Sequence, residues 1–150
     1  MKRYLSLSGV VAAMLFGALA LSSAQTAAVI SGHSIAGFVY VDLNNNGIKD
    51  AGEPGIAGVT ITLSGDDSQT TATDANGAYL FLPNGCCEYT VTETQPAGYA
   101  DGIDTVGVGG CGAGTLGNDV FTDICIEGDE ATGYNFGELP LETPTAQRKL

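Results

Sequence analysis

A chain of 150 residues with 17 acidic against 5 basic side chains, a formal net charge of −12, has too few clustered cations to grip a phosphate backbone or an anionic lipid surface. Its 22 glycines, its lack of tryptophan and an apolar content carried by Val, Ile, Leu, Ala and a few aromatics suit short strands and frequent turns. Once a leader is removed, the length serves one domain and is too short for two cores.

Residues 1–24 have the order of a secretory signal. Positive Met1-Lys2-Arg3 is followed by an apolar run too short to span a bilayer, then by the small residues Ser22-Ser23-Ala24. Cleavage there leaves Gln25 first, on an exported chain with no membrane span. No cysteine follows the cleavage region, which argues against a lipid anchor. Residues 25–34, small and polar and containing the lone His33, read as a flexible spacer.

Residues 35–41 alternate β-branched and aromatic side chains and predict the first strand. The next twelve residues, 42–53, place oxygen-bearing side chains at Asp42, Asn44, Asn46, Asp50 and Glu53. These are positions one, three, five, nine and twelve of a calcium loop, with Gly47 at the sharp turn and the Ile48 carbonyl at position seven. Oxygen donors without sulfur or imidazole select a hard cation, Ca2+. A bare surface turn would need only one Asn-Gly or Asp-Gly, not three spaced carboxylates and two amides. Strands flank this loop in place of the amphipathic helices of a helix-loop-helix hand.

Residues 58–63 predict a strand with Val59, Ile61 and Leu63 on one face. A polar edge strand over 69–73 follows, and Asp74-Ala75-Asn76-Gly77 reads as a hairpin turn. Strands over 77–82 and 88–92 carry Tyr79, Phe81, Tyr89 and Val91, expected to pack opposite Val59, Ile61 and Leu63. In an oxidising compartment Cys86, Cys87, Cys111 and Cys125 favour disulfides, with three pairings open. A bridge between neighbours closes a strained ring, so Cys86 and Cys87 are each expected to pair with one of Cys111 and Cys125. Zinc is disfavoured because neither pair has the spacing that brings two sulfurs to one metal.

Residues 96–118 are irregular. Their glycine run at 107–112 matches a dinucleotide fingerprint by letter but lacks the strand-helix unit that gives it meaning. Residues 119–127 and 133–137 complete about seven strands, the number of a two-sheet sandwich. The tail, 139–150, resembles a sortase signal only superficially: Thr143 is one place late and no apolar segment follows.

Four ordered motifs carry a family resemblance. They are Gly37-Phe38-Val39-Tyr40-Val41 leading through the acidic loop to Gly58-Val59-Thr60-Ile61-Thr62-Leu63, Thr73-Asp74-Ala75-Asn76-Gly77-Ala78-Tyr79, Tyr89-Thr90-Val91-Thr92-Glu93-Thr94-Gln95-Pro96-Ala97-Gly98-Tyr99, and Gly133-Tyr134-Asn135-Phe136-Gly137-Glu138. Together they make residues 35–138 similar to the B-type domain of serine-aspartate repeat adhesins (SdrD B-like), within the wider collagen-adhesin B-type superfamily. The resemblance implies an all-β, seven-stranded Greek-key sandwich of immunoglobulin/prealbumin-like type, with a calcium loop between its first two strands, in a secreted or bacterial cell-surface protein. Because the family can bind more than one calcium, it also offers Asp101, Asp104, Asp119 and Asp123 as second-site ligands, beside an equally good reading as solvated loops. Superfamily members can form a Lys-Asn isopeptide bond, but Lys49 sits in the loop and Lys149 in the tail, so no strand lysine remains to make one.

No nucleophile-base pair stands out, so no catalytic residue is named and an enzyme is not expected. The leading expectation is a monomeric structural or adhesion module stiffened by calcium, meeting an extracellular protein or polysaccharide. The alternative is a recognition domain that binds carbohydrate or protein through residues 96–118.

Overall fold

The computed structural model describes residues 32–85, 87–127 and 130–141. The expected leader, most of the 25–34 spacer, Cys86 and the tail from residue 142 lie outside these. Alternation of apolar and polar side chains produces ten strands and no helix among the described residues: β1 (Ser34–Val41), β2 (Thr60–Gly65), β3 (Gln69–Ala72), β4 (Ala78–Phe81), β5 (Cys87–Glu93), β6 (Tyr99–Asp101), β7 (Thr115–Gly117), β8 (Val120–Ile126), β9 (Glu130–Thr132) and β10 (Phe136–Pro140). The count exceeds the seven expected: each strand read from sequence overlaps one of these, the last only at Phe136 and Gly137 of β10. The other three, β6, β7 and β9, are only three residues long, too short to show an alternation.

One sheet has the order β4-β1-β10-β6, with β9 also pairing β1, and the other β3-β2-β5-β8-β7. β1 runs parallel to β10, with Val39 beside Phe136 and Val41 beside Glu138. Ile61, Leu63, Val91 and Phe121 point from the second sheet onto Tyr79, Phe81 and Phe136 of the first, and all are buried. The Phe121 and Phe136 rings lie 4.6 Å apart, and Tyr134 meets Phe121 edge-on at 5.4 Å. Such tilted aromatic contacts add to the area they bury.

Three expectations change. Tyr79 and Phe81 do face Val59, Ile61 and Leu63 across the core, but Tyr89 and Val91 lie on β5, the neighbour of β2 in the same sheet, with Leu63 beside Val91. The Asn76-Gly77 turn closes no hairpin, because β3 pairs with β2 and β4 with β1. It carries the chain from one sheet to the other, with Gly77 at φ 77° and its carbonyl accepting the Val39 amide at 2.8 Å. A β-carbon on Gly77 would lie 2.2 Å from the Val39 oxygen, so only glycine passes. Asp74 Oδ1 caps this turn by accepting the Asn76 and Ala78 amides.

The third concerns the cysteines. Cys111 is bridged to Cys125, Cα to Cα 5.1 Å, and not to Cys86 or Cys87. The glycine-rich segment around Cys111 folds back along β8, where Cys111 and Cys125 are already joined by backbone hydrogen bonds that also involve Gly112. Cys86 and the Cys87 side chain lie outside the described residues.

Candidate metal centre

β1 ends by delivering Asp42, fully buried, into the 42–53 loop. Asp42 Oδ2 accepts the Gly47 amide at 2.7 Å and Oδ1 the Asn46 amide at 3.1 Å. Asn45 and Gly47 take the left-handed backbone that this tight wrap requires, φ 53° and 73°. The Asn44 and Asn46 side-chain NH2 groups both donate to Asp50 Oδ2 at 3.0 Å, and Asn44 Oδ1 and Asp42 Oδ1 both accept the Asn46 amide at 3.1 Å, so positions one, three, five and nine are tied into one hydrogen-bonded wrap. Glu53, also buried, accepts the Leu43 amide on one oxygen and the Asp50 amide on the other, each at 2.9 Å. In this arrangement Asp42, Asp50 and Glu53 do not bring one oxygen each within 4.8 Å of one another. Thr105 holds the loop from outside, donating its hydroxyl to the Gly47 carbonyl.

The donor set suits a hard cation. The side chains of Asp42, Asn44, Asn46, Asp50 and Glu53 all carry oxygen, the Asp42 and Glu53 carboxylate oxygens each accept one amide and keep a lone pair while Asp50 Oδ2 accepts two, and no basic side chain neutralises the loop carboxylates. Lys49, the one Lys or Arg among the described residues, donates instead to the Glu53 carbonyl at 3.2 Å and lies over the Phe38 ring.

A second group of acids lies between the sheets. Glu93 ends β5, Asp119 occupies the β7–β8 turn at φ 53°, and Glu138 sits in β10. Each offers an oxygen within 4.8 Å of the other two, and Asp101, Asp104 and Asp119 form an overlapping group. Glu93 is 4% exposed and Glu138 0%. Both Glu93 oxygens, Asp119 Oδ1 and Glu138 Oε1 are buried without a hydrogen-bond partner. Asp104 ties the group to both sheets, accepting the Asp119 amide on Oδ2 and the Gly137 amide on Oδ1, both at 3.2 Å. Gln95 donates its side-chain amide to Glu138 Oε2.

The electrostatics follow from this burial. Loss of water, then the charges of Glu138, Asp104, Asp119 and Asp101, push the Glu93 carboxyl up to about 9. Burial likewise pushes Glu138 up to about 7 despite the Gln95 hydrogen bond, and Asp104 up to about 7 despite the Gly137 and Asp119 amides. Tyr40 lies between the two acidic places. Burial, then Asp42, Glu53, Asp104 and Asp50, raise its phenol far above the ordinary range.

Of the acids offered by sequence as a second site, Asp101, Asp104 and Asp119 are brought together. Asp123 is not: it is exposed on β8 and accepts the neighbouring Thr122 hydroxyl. Sequence reading missed Glu93 and Glu138, although a signal was present. Counting by twos from buried Tyr89 and Val91 lands on Glu93, and from Phe136 on Glu138. Each is a carboxylate on a core-facing register.

A two-sheet, all-β module with oxygen-only acidic clusters at one side of its core is the class these features define. The family model of the SdrD B-like domain matches residues 33–110, and the chain belongs to that family. Colossin-A of Dictyostelium discoideum is 56% identical over 48 residues, covering 32% of this chain and, to the nearest per cent, 0% of that protein. Serine-aspartate repeat-containing protein D of Staphylococcus aureus (strain Newman) is 42% identical over 80 residues, 50% of this chain and 6% of the relative. Serine-aspartate repeat-containing protein F of Staphylococcus epidermidis is 43% identical over 72 residues, 45% of this chain and 4% of the relative. The chain thus spans at most 6% of the length of these relatives. Among the described residues no helix is long and apolar enough to cross a membrane.

Proposed function

We propose that the chain is a secreted or cell-surface structural module of the adhesin type, a Greek-key sandwich whose first inter-strand link is stiffened by calcium held by Asp42, Asn44, Asn46, the Ile48 carbonyl, Asp50 and Glu53. The observation that supports the reading is the tight wrap of the 42–53 loop, in which Asp42 accepts the Asn46 and Gly47 amides and Asn44 and Asn46 both reach Asp50, with no basic side chain on these carboxylates. The ion supplies the missing positive charge. Two like charges about 4 Å apart repel by roughly 1 to 4 kcal/mol, depending on solvent access, so drawing Asp42, Asp50 and Glu53 onto one point needs the cation. Membership of the SdrD B-like family and the serine-aspartate repeat relatives support the adhesin context. The alternative, recognition through residues 96–118, has less behind it. Asp101 and Asp104 of that segment belong to the inter-sheet acidic group, and β6 and β7 are paired into the sheets.

Thermal unfolding of the chain with calcium and with EGTA tests the proposal. Calcium at 100 times its dissociation constant adds about 2.7 kcal/mol to the folded state, which raises Tm by roughly 5 to 15 °C for a domain of this size. Glu53→Gln abolishes most of that shift. Asn45→Gly, at a non-ligand position whose positive φ glycine accepts, leaves it intact. Equal shifts in wild type and Glu53→Gln would refute the loop as the calcium site.

A further inference from the structure

We propose that Asn84 and Gly85 form a self-modifying site, at which the Gly85 backbone nitrogen attacks the Asn84 side chain and converts this asparagine, with loss of ammonia, to isoaspartate and aspartate.

The sequence offers three Asn-Gly pairs, Asn46-Gly47, Asn76-Gly77 and Asn84-Gly85. In each the nitrogen after asparagine belongs to a residue with no β-carbon to shield it, so the sequence ranks them equally. The fold does not. The attacking nitrogen must be free of a hydrogen bond and able to swing toward the side-chain carbon. Gly47 is buried and donates its N–H to Asp42 Oδ2 at 2.7 Å, while Asn46 Oδ1 is held by the Ile48 amide at 2.8 Å. Gly77 is buried and donates to the Asp74 carbonyl at 3.0 Å. Asp101-Gly102, the one Asp-Gly pair and open to the same ring closure, is also held, Gly102 donating to the Gly137 carbonyl at 2.9 Å.

Asn84 and Gly85 differ on every count. Both are exposed, they lie outside any strand in the link from β4 to β5, and among the described residues nothing accepts the Gly85 N–H. Asp67 anchors Asn84 from the other side: its Oδ2 accepts the Asn84 backbone N–H at 3.1 Å, and the Asn84 side-chain amide turns to the same carboxylate. A held nitrogen reacts only while its hydrogen bond is open, so an opening free energy of about 1.4 kcal/mol already slows it tenfold.

In the reaction the Gly85 nitrogen loses its proton to solvent and bonds to Asn84 Cγ. The Cγ–Nδ2 bond breaks, and Nδ2 takes up a proton and leaves as ammonia. Water, the sole co-reactant, then opens the succinimide ring. Addition at Cγ gives aspartate, and addition at the Asn84 backbone carbonyl gives isoaspartate, whose main chain is one carbon longer. Either product sets a carboxylate against Asp67, which also accepts Ser68 and Gln69, and so repels the group that ties this link to the turn after β2.

The test is incubation of the full chain at pH 8, followed by chymotryptic peptide mapping by mass spectrometry. Digestion in heavy-oxygen water marks any conversion that occurs during the digest. In the folded chain Asn84 should convert at least tenfold faster than Asn46 or Asn76, with isoaspartate among the products, and in denaturing urea the three should convert at similar rates. On ion exchange the wild type should accumulate a more acidic form that Asn84→Gln, altered only at an exposed side chain, does not. Equal conversion of the three asparagines in the folded chain, aspartate without isoaspartate at position 84, or the same acidic form in Asn84→Gln would each overturn the proposal.

Discussion

Glu93→Gln should change how the metal-free protein responds to pH. In the folded, metal-free chain the Glu93 carboxyl is pushed from an ordinary 4.5 up to about 9 by burial and then by the facing acids Glu138, Asp104, Asp119 and Asp101. Below the ordinary value both states carry the proton and the residue costs nothing. Above it the unfolded chain ionises while the folded chain keeps its proton. The folded state then binds more protons, and stability falls by about 1.4 kcal/mol per pH unit until the folded value is reached. Between pH 4.5 and pH 7 this one side chain removes about 3 kcal/mol. Asp104 and Glu138, both raised to about 7, add losses of the same sign over the lower part of that range. Glutamine keeps the shape and does not titrate. Its buried amide itself costs about 1–3 kcal/mol where unbonded, so the slope against pH is the discriminating quantity. Urea unfolding in EGTA at pH 5, 6, 7 and 8 should give a wild-type stability that falls by about 1.4 kcal/mol per unit more steeply than that of Glu93→Gln. Parallel slopes would show that Glu93 is ionised in the folded chain and would refute the reasoning.

Gly77→Ala meets both a φ of 77° and the Val39 oxygen 2.2 Å from the new carbon, so it should cost about 3 kcal/mol or more, whereas Gly52→Ala, at φ 101° with nothing within 4 Å, should cost about 1–2; chemical denaturation separates them. Phe121→Ala, which empties the centre of the contacts with Tyr134 and Phe136, should lower stability by about 3–5 kcal/mol in the same assay. Non-reducing peptide mapping should recover Cys111 joined to Cys125, and breaking that bridge, with 14 residues of separation, should cost about 3 kcal/mol in the loop-entropy account. A map showing Cys111 joined to Cys86 or Cys87 would contradict the fold of the glycine-rich segment.

Strands long enough to show two or three alternations were legible. Ile61 and Leu63 on β2, Tyr79 and Phe81 on β4 and Tyr89 and Val91 on β5 are buried as the period-two pattern requires. Which sheet each strand joins was not. Alternation fixes a face and not a neighbour, so Asn76-Gly77 could read equally as a hairpin or as the crossover it is. The tight wrap of residues 42–53 was legible because the Asp, Asn and Gly residues that form it are local in sequence. Glu93 and Glu138 escaped because they meet Asp119 only through long-range pairing, and a glutamate in a strand reads as solvent-facing unless its register is counted. The cysteines failed for a similar reason: Gly109, Gly110 and Gly114, all at positive φ, let that segment fold back along β8, a path that linear spacing does not encode.

The parallel pairing of β1 with β10 has a mechanical consequence. The chain enters the sandwich at Ser34 and leaves it at Pro140 on neighbouring strands that run the same way. Entry and exit therefore stand at opposite ends of the sheet, separated by about the length of an eight-residue strand, roughly 25 Å. Tension between those points pulls β1 and β10 past each other along their own axes. The hydrogen bonds that pair Val39, Tyr40 and Val41 with Phe136, Gly137 and Glu138 are then loaded in shear and share the force, whereas an antiparallel pair pulled from one end would unzip bond by bond. A domain strung this way resists stretching through the very strands that join it to the rest of the chain.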